Sequence, residues 1–223
     1  MAEQLKLEVC VALAPSPPLS SSLARLSERF AEANAAGTVI LTLQGDGHRL
    51  GLSPHMTVYQ LSLPLTKIGE AVEELKCIAT QSRALTLQGN TFAANASEGS
   101  IELKYTGSPE LSALQMAVVE KLNPLRCGLY LERSPAGLSV ADAVLEAADD
   151  NGPLSKYGFG EYGDTFNPHV TISWLRPGCT PFAAQPDPLH YSGVFDSLNM
   201  YAMGPQGACP QLLASFPLVM VRK

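Results

Sequence analysis

Two runs of one four-residue pattern, Pro54-His55-Met56-Thr57 and Pro168-His169-Val170-Thr171, lie about half the chain apart, and each opens a stretch that reads as a β-strand. Side chains alternate across a strand, so His55 and Thr57 share one face, as do His169 and Thr171, while Met56, Val58, Val170 and Ile172 point the other way. Each run therefore sets an imidazole beside a hydroxyl. Imidazole titrates near pH 6.5 and either takes or gives a proton at neutral pH. Two of them cover both transfers of a general acid–base reaction: one takes a proton from the attacking group, the other gives a proton to the leaving group. The hydroxyls of Thr57 and Thr171 can donate to an oxygen on which negative charge must be held. Tyr59 and Ser173, two residues further along each run, are expected on the same faces as substrate contacts. Their plainer reading is strand core.

With 4 His and 17 Pro among 223 residues, two such runs arise by chance with odds of roughly 1 in 10,000, although a pattern chosen after inspection carries its own risk. The other two histidines show the background. His48 sits in the turn-like Gly45-Asp46-Gly47-His48, and His190 follows the Pro186-Asp187-Pro188 region with no strand pattern after it. A single strand histidine is usually a hydrogen-bonded structural residue, and strand threonines have β-propensity as their plain explanation. The matched pair in phase is what lifts all four.

The elements that must position them follow from the hydrophobic pattern. Leu5, Leu7, Val9, Val11 and Leu13 alternate as a half-buried strand over 5–13, ended by Pro15, Pro17 and Pro18. Serines 20–22 offer caps for a helix with Leu23, Leu26, Phe30 and Ala33 on one stripe. A strand near 39–43 precedes the first histidine strand, which runs to about Leu63. Thr66 can cap a helix with Ile68, Val72, Leu75 and Ile78 buried, and a strand spans about 84–92. Ile101, Leu103 and Tyr105 alternate as the next strand, and Ser108-Pro109-Glu110 starts a helix that Pro124 stops. A helix near 139–148 and a glycine-rich loop precede the second histidine strand, and strands near 198–203 and 212–221 end the chain. Both halves run strand, helix, further strands, histidine strand, which reads as an internal duplication.

The paired strand-borne His-x-Thr resembles the two-histidine (2H) phosphoesterase superfamily, which includes the bacterial 2',5' RNA ligase or cyclic phosphodiesterase proteins. Its specific content here is Pro54, His55, Thr57, Pro168, His169 and Thr171; Met56 and Val170 fill the variable middle position. The resemblance implies an α+β bilobal fold with pseudo-twofold symmetry, two antiparallel sheets around a central cleft with helices outside. It makes 1–223 one bilobal domain, with N-terminal lobe elements about 1–98, C-terminal lobe elements about 99–223, and exchange of strands left open. It implies metal-independent chemistry, with no cofactor, on 2',3'-cyclic or 2',5'-linked phosphodiesters of a small nucleotide or RNA terminus. Ligation or cleavage of a 2',5' bond would use the same residues, and a non-catalytic nucleotide or RNA-end binder is the alternative of a different class. A metallohydrolase lacks the Asp/Glu and His clustering expected around a metal.

The glycine-rich segment 151–166 holds Tyr157, Phe159, Tyr162 and Phe166 directly before the second motif. Gly158-Phe159-Gly160-Glu161-Tyr162-Gly163 spells a dinucleotide-binding pattern, but with no strand before it and no long helix after it the match is accidental. A mobile flap whose Tyr157 or Tyr162 stacks on a base stands against a packed surface loop. Lys156, Arg176 and Arg49 are candidate phosphate partners, with solvated charge as the plainer reading. The five cysteines, odd in number, widely spaced and without a Cys-x-x-Cys pair, indicate neither a disulfide framework nor a zinc site, and Cys10 reads as a small apolar residue. A net charge of −6 argues against a long contact with duplex nucleic acid. With no apolar run long enough to span a membrane and no signal-type N-terminus, the chain reads as a soluble, monomeric, cytoplasmic protein.

Overall fold

The opening alternation becomes strand β1 (Lys6–Pro15). A computed structural model describes it together with the rest of residues 5–33, 39–42, 53–95, 100–128, 152–175, 186–204 and 208–220. The expected helix near 139–148, and the candidate residues Arg49 and Arg176, lie outside the described residues. β1 differs from the half-buried strand expected of it. Val9, Val11 and Leu13 enter the main core, while Cys10 and Ala12 on the opposite face are equally buried against Tyr201 and Cys209. Helix α1 (Pro17–Ala33) begins before the serines expected to cap it. Proline lacks only an N–H that the first turn leaves unpaired anyway, so Pro17 and Pro18 end the strand and open the helix at once.

The remaining elements are β2 (Val39–Thr42), β3 (Met56–Pro64), α2 (Ile68–Gln81), β4 (Leu85–Leu87), β5 (Gly89–Asn95), β6 (Ser100–Tyr105), α3 (Pro109–Leu122), the short α4 (Pro153–Tyr157), β7 (His169–Leu175), β8 (Gly193–Ala202) and β9 (Gln211–Pro217). Ser108 caps α3 as its sequence signal requires, its side chain accepting from the Leu111 N–H. Thr66 instead lies inside a 3₁₀ turn, Leu65–Lys67, and α2 starts behind Lys67 without a side-chain cap. The single strand expected over 84–92 is two. β4 pairs with β8 and β5 pairs with β6, in different sheets. Gly89 opens β5 where a Cβ would stand 2.2 Å from the Pro188 carbonyl oxygen, so only glycine lets the chain cross here. His190, expected to have no strand after it, sits in a 3₁₀ turn directly ahead of the ten-residue β8.

Among the described residues the ladders form two antiparallel sheets, one ordered β3-β1-β8-β4 with β9 also on β8, the other β2-β7-β6-β5. Each draws strands from both halves of the sequence. The helices cross over: α1 packs against β7 and β2 of the second sheet, while α3 lies against β3 of the first and α2 against α3, β8 and β9. The strands β3 and β7 thereby meet at the centre, with the helices outside.

Both histidine strands carry the same irregularity. On β3, Ala12 faces Thr57 and Val11 faces Tyr59, so Val58 is an extra residue. On β7, Glu102 faces Thr171 and Ile101 faces Ser173, so Ile172 is extra. A bulge leaves the added residue outside the ladder and turns the next one to the other face. Each is served from behind by a fully buried polar side chain of the crossing helix: Ser27 Oγ on α1 donates to the Ile172 carbonyl at 2.5 Å, and Gln115 Nε2 on α3 reaches the Val58 carbonyl at 3.5 Å and the Glu161 carbonyl at 2.8 Å. Replacing Gln115 with Leu should destabilise the fold by about 1–3 kcal/mol, the cost of stranding buried carbonyls. Chemical denaturation of Gln115→Leu and Ser27→Ala checks this, and unchanged midpoints would show that neither bond holds its bulge.

Candidate active site

The two motifs are built alike down to the proline. The Nδ1 atom of His55 lies 2.8 Å from the Ser53 carbonyl oxygen, and Nδ1 of His169 lies 2.7 Å from that of Asn167. Each partner is the residue before the proline. Proline fixes its own φ and pushes the preceding residue into extended backbone, which presents that carbonyl to the ring. A carbonyl only accepts, so Nδ1 carries the proton and Nε2 is left for chemistry.

The surroundings of the two rings differ. His55 stands on the first sheet among thiols and phenols: its Nε2 accepts from Cys209 Sγ at 3.4 Å, its ring lies 6.1 Å from that of Tyr201, and Cys10 Sγ is 3.8 Å from Thr57 Oγ1. Burial, with a smaller contribution from the charge of His169 and against the Ser53 bond, holds the His55 imidazole below its ordinary value of 6.5. The two rings therefore sense each other. Burial pushes the Tyr201 phenol up to about 12, so it stays neutral, and its oxygen accepts from Asn199 Nδ2 at 2.8 Å.

His169 stands on the second sheet among charges. Its Nε2 is 3.9 Å from Glu102 Oε1, and Glu102 also accepts from Lys104 Nζ and from Ser100 Oγ. Burial alone would raise the Glu102 carboxyl, but His169, Lys104 and Ser100 together outweigh it and keep the group below the usual carboxylate range. Glu161 senses the same cations, yet its burial dominates and lifts its carboxyl. The ladder explains the grouping. Lys104 is opposite His169 and Glu102 opposite Thr171, so the four side chains share the non-core face of β6 and β7.

The sequence reading placed Tyr59 and Ser173 on the histidine faces, and here the bulges overturn it. Tyr59 is fully buried in the core, donating to the Tyr157 carbonyl at 2.7 Å, and Ser173 is buried opposite Ile101. The described part of that segment, residues 152–166, is packed rather than a free flap. The Tyr157 and Phe159 rings are core residues, Phe159 packs edge-on against Tyr59, and Tyr162 stacks 4.2 Å from Tyr157 while donating to Glu120. Gly158 adopts φ 67° to cap α4. Lys156 lies over the Tyr157 ring at 5.0 Å. Sequence reasoning missed Glu102, Lys104 and Glu161. The alternation of charge with Ile101, Leu103 and Tyr105 was the available signal for the first two. It also held the cysteines to be scattered, whereas the fold brings Cys10 and Cys209 together at His55.

No protein-family model matches the chain, and no curated protein matches it. Solved structures do. E. coli LigT complexed with 3'-AMP shares 12% identity at a TM-score of 0.58, covering 96% of this chain and 99% of that one. A protein solved as a phosphoesterase gives 12%, 0.57, 96% and 99%, and the Thermus thermophilus protein TT0787 gives 13%, 0.55, 95% and 98%. The chain has the LigT fold over nearly its whole length. None of its described helices is long and apolar enough to cross a membrane.

The asymmetry of the two rings is measurable. Followed by NMR through its imidazole carbon protons, His55 should titrate with a midpoint below 6.5. Because the unfolded chain then binds the extra proton, native stability should fall as pH drops below 6.5, through that window. A His55 midpoint at or above 6.5 would contradict the described environment.

Proposed function

We propose that the chain is a metal-independent phosphodiesterase that opens a cyclic phosphate, 2',3'-cyclic or related, on a small nucleotide or RNA terminus. One observation carries the reading. Two imidazoles on facing strands are held in the same tautomer by the same backbone contact, each with a threonine hydroxyl two residues on. The fold of E. coli LigT, a protein crystallised with phosphate and with 3'-AMP, supports a phosphate-bearing nucleotide as the ligand class.

The environments divide the labour. His55, kept neutral by burial, is the base: its Nε2 takes a proton from water as the water oxygen attacks phosphorus. His169, with the Glu102 carboxylate 3.9 Å away to face its positive charge, is the acid: its Nε2 proton goes to the ribose oxygen as the P–O bond breaks. One water is consumed and a phosphomonoester results. The protons on the two rings then re-equilibrate through solvent. Thr57 and Thr171 donate to the non-bridging oxygens, and Lys104 adds positive charge beside the His169 half of the site. Substrate must also displace the Cys209 thiol from His55 Nε2.

Hydrolysis of 2',3'-cyclic nucleotides and of RNA ending in a cyclic phosphate should persist in chelator. His55→Ala and His169→Ala should each lower kcat/KM by at least about 10², and Thr57→Val or Thr171→Val by about 10². A panel that adds 2',5'-linked dinucleotides separates the two bond types. Nucleotide binding without turnover of any member would replace the enzyme by a binding protein, and full activity of His169→Ala would remove the mechanism.

A further inference from the structure

Three donors from distant parts of the chain converge on the first sheet: Cys10 in the middle of β1, His55 at the entry to β3, and Cys209 just ahead of β9. One ligand atom from each, the two Sγ atoms and an imidazole nitrogen, all lie within 4.8 Å of one another, and the Cys209 Sγ to His55 Nε2 separation is 3.4 Å. In a tetrahedral zinc site, with Zn–S about 2.3 Å and Zn–N about 2.0–2.1 Å, neighbouring donors stand roughly 3.6–3.8 Å apart. A small adjustment closes the set.

We propose that Cys10 Sγ, Cys209 Sγ and His55 Nε2 form a binding site for a thiophilic divalent ion of the zinc class, its fourth position lying next to the Thr57 hydroxyl. The first-row preference of thiolate and imidazole donors points to zinc rather than to magnesium or calcium, which take oxygen. His55 already has the outer contact that metal-bound imidazoles use, an Nδ1–H held by a backbone carbonyl, which turns Nε2 toward the ion. Cys10 is wholly buried on a central strand, so that donor is fixed in place. On binding, the two thiols release their protons to solvent and the two thiolates balance the charge of the ion, with no change of oxidation state.

The site occupies the nitrogen that the proposed reaction needs as its base. The ion and the cyclic phosphate therefore exclude each other, and the ion acts as a reversible inhibitor that chelators remove. Capture of the ion follows from the donor set alone; only the inhibition rests on the role proposed for His55.

Chelator-stripped protein should take up one Zn²⁺ per chain from a chromophoric competitor, and Co²⁺ in its place should show near-ultraviolet thiolate absorption. Cys209→Ser and Cys10→Ser should each weaken Zn²⁺ binding more than about tenfold, beyond the loss of an outer-shell contact at the low end, while Cys77→Ser, on the exposed face of α2, should not. If circular dichroism shows Cys10→Ser unfolded, Cys209→Ser decides. Wild-type affinity in both variants, or bound Co²⁺ without a thiolate signal, overturns the site. Zn²⁺-loaded enzyme with full phosphodiesterase activity overturns the competition, and chelator-reversible loss supports it; if no activity is found under any condition, the binding measurements alone judge the site.

Discussion

The hydrogen bond from each catalytic-type imidazole to the carbonyl two residues before it is the constraint on which the site depends. Without it, an imidazole has two tautomers and a freely turning ring. With it, Nε2 of both His55 and His169 is the nitrogen turned away from the backbone, and their shared geometry follows from a local Pro-His sequence rather than from long-range packing. The proline thus sets the orientation of the ring through the backbone. The bulges after Thr57 and Thr171 do the complementary task. They end the run of polar residues facing away from the core after two positions and hand the strand back to the core, where Ser27 and Gln115 take up the bulge carbonyls from the crossing helices.

On this nearly symmetric frame the sequence has written an asymmetric environment. At the position beside Thr57 the first sheet has Ala12, with Cys10 next on the same face, whereas the second sheet has Glu102 beside Thr171 and Lys104 beside His169. A neutral, thiol-lined imidazole and a carboxylate-flanked one are suited to opposite proton transfers. The repeated motif supplies the pair; the residues of the neighbouring strand distinguish its members.

Much of this was legible in the residues. Strict alternation located β1 and β6, the Ser-Pro-Glu start located α3, and the repeated motif located both imidazoles. The bulges were half legible. In β3 the polar positions run Thr57, Gln60, Ser62, a change of phase that marks an inserted residue, whereas in β7 His169, Thr171 and Ser173 keep a period of two and conceal one. Tyr59 and Ser173 were misplaced for that reason. Glu102 and Lys104 look like the solvated face of any amphipathic strand until β7 is laid beside them. Cys10 and Cys209 are near opposite ends of the chain, and only the pairing of β8 with both β1 and β9 brings them together. The rings of the 151–166 segment were ambiguous because aromatic residues in a glycine-rich loop fit both a flap and an anchor, and burial distinguishes them.

The most direct test of the central claim is a crystal structure of the chain, treated with chelator, with 3'-AMP or inorganic phosphate bound. One phosphate is expected between the two strands, with oxygens about 2.7–3.2 Å from Nε2 of both His55 and His169 and from the hydroxyls of Thr57 and Thr171, and with both Nδ1 atoms still on their backbone carbonyls. A phosphate bound by only one imidazole, or a ring turned so that Nδ1 meets the phosphate, would contradict it.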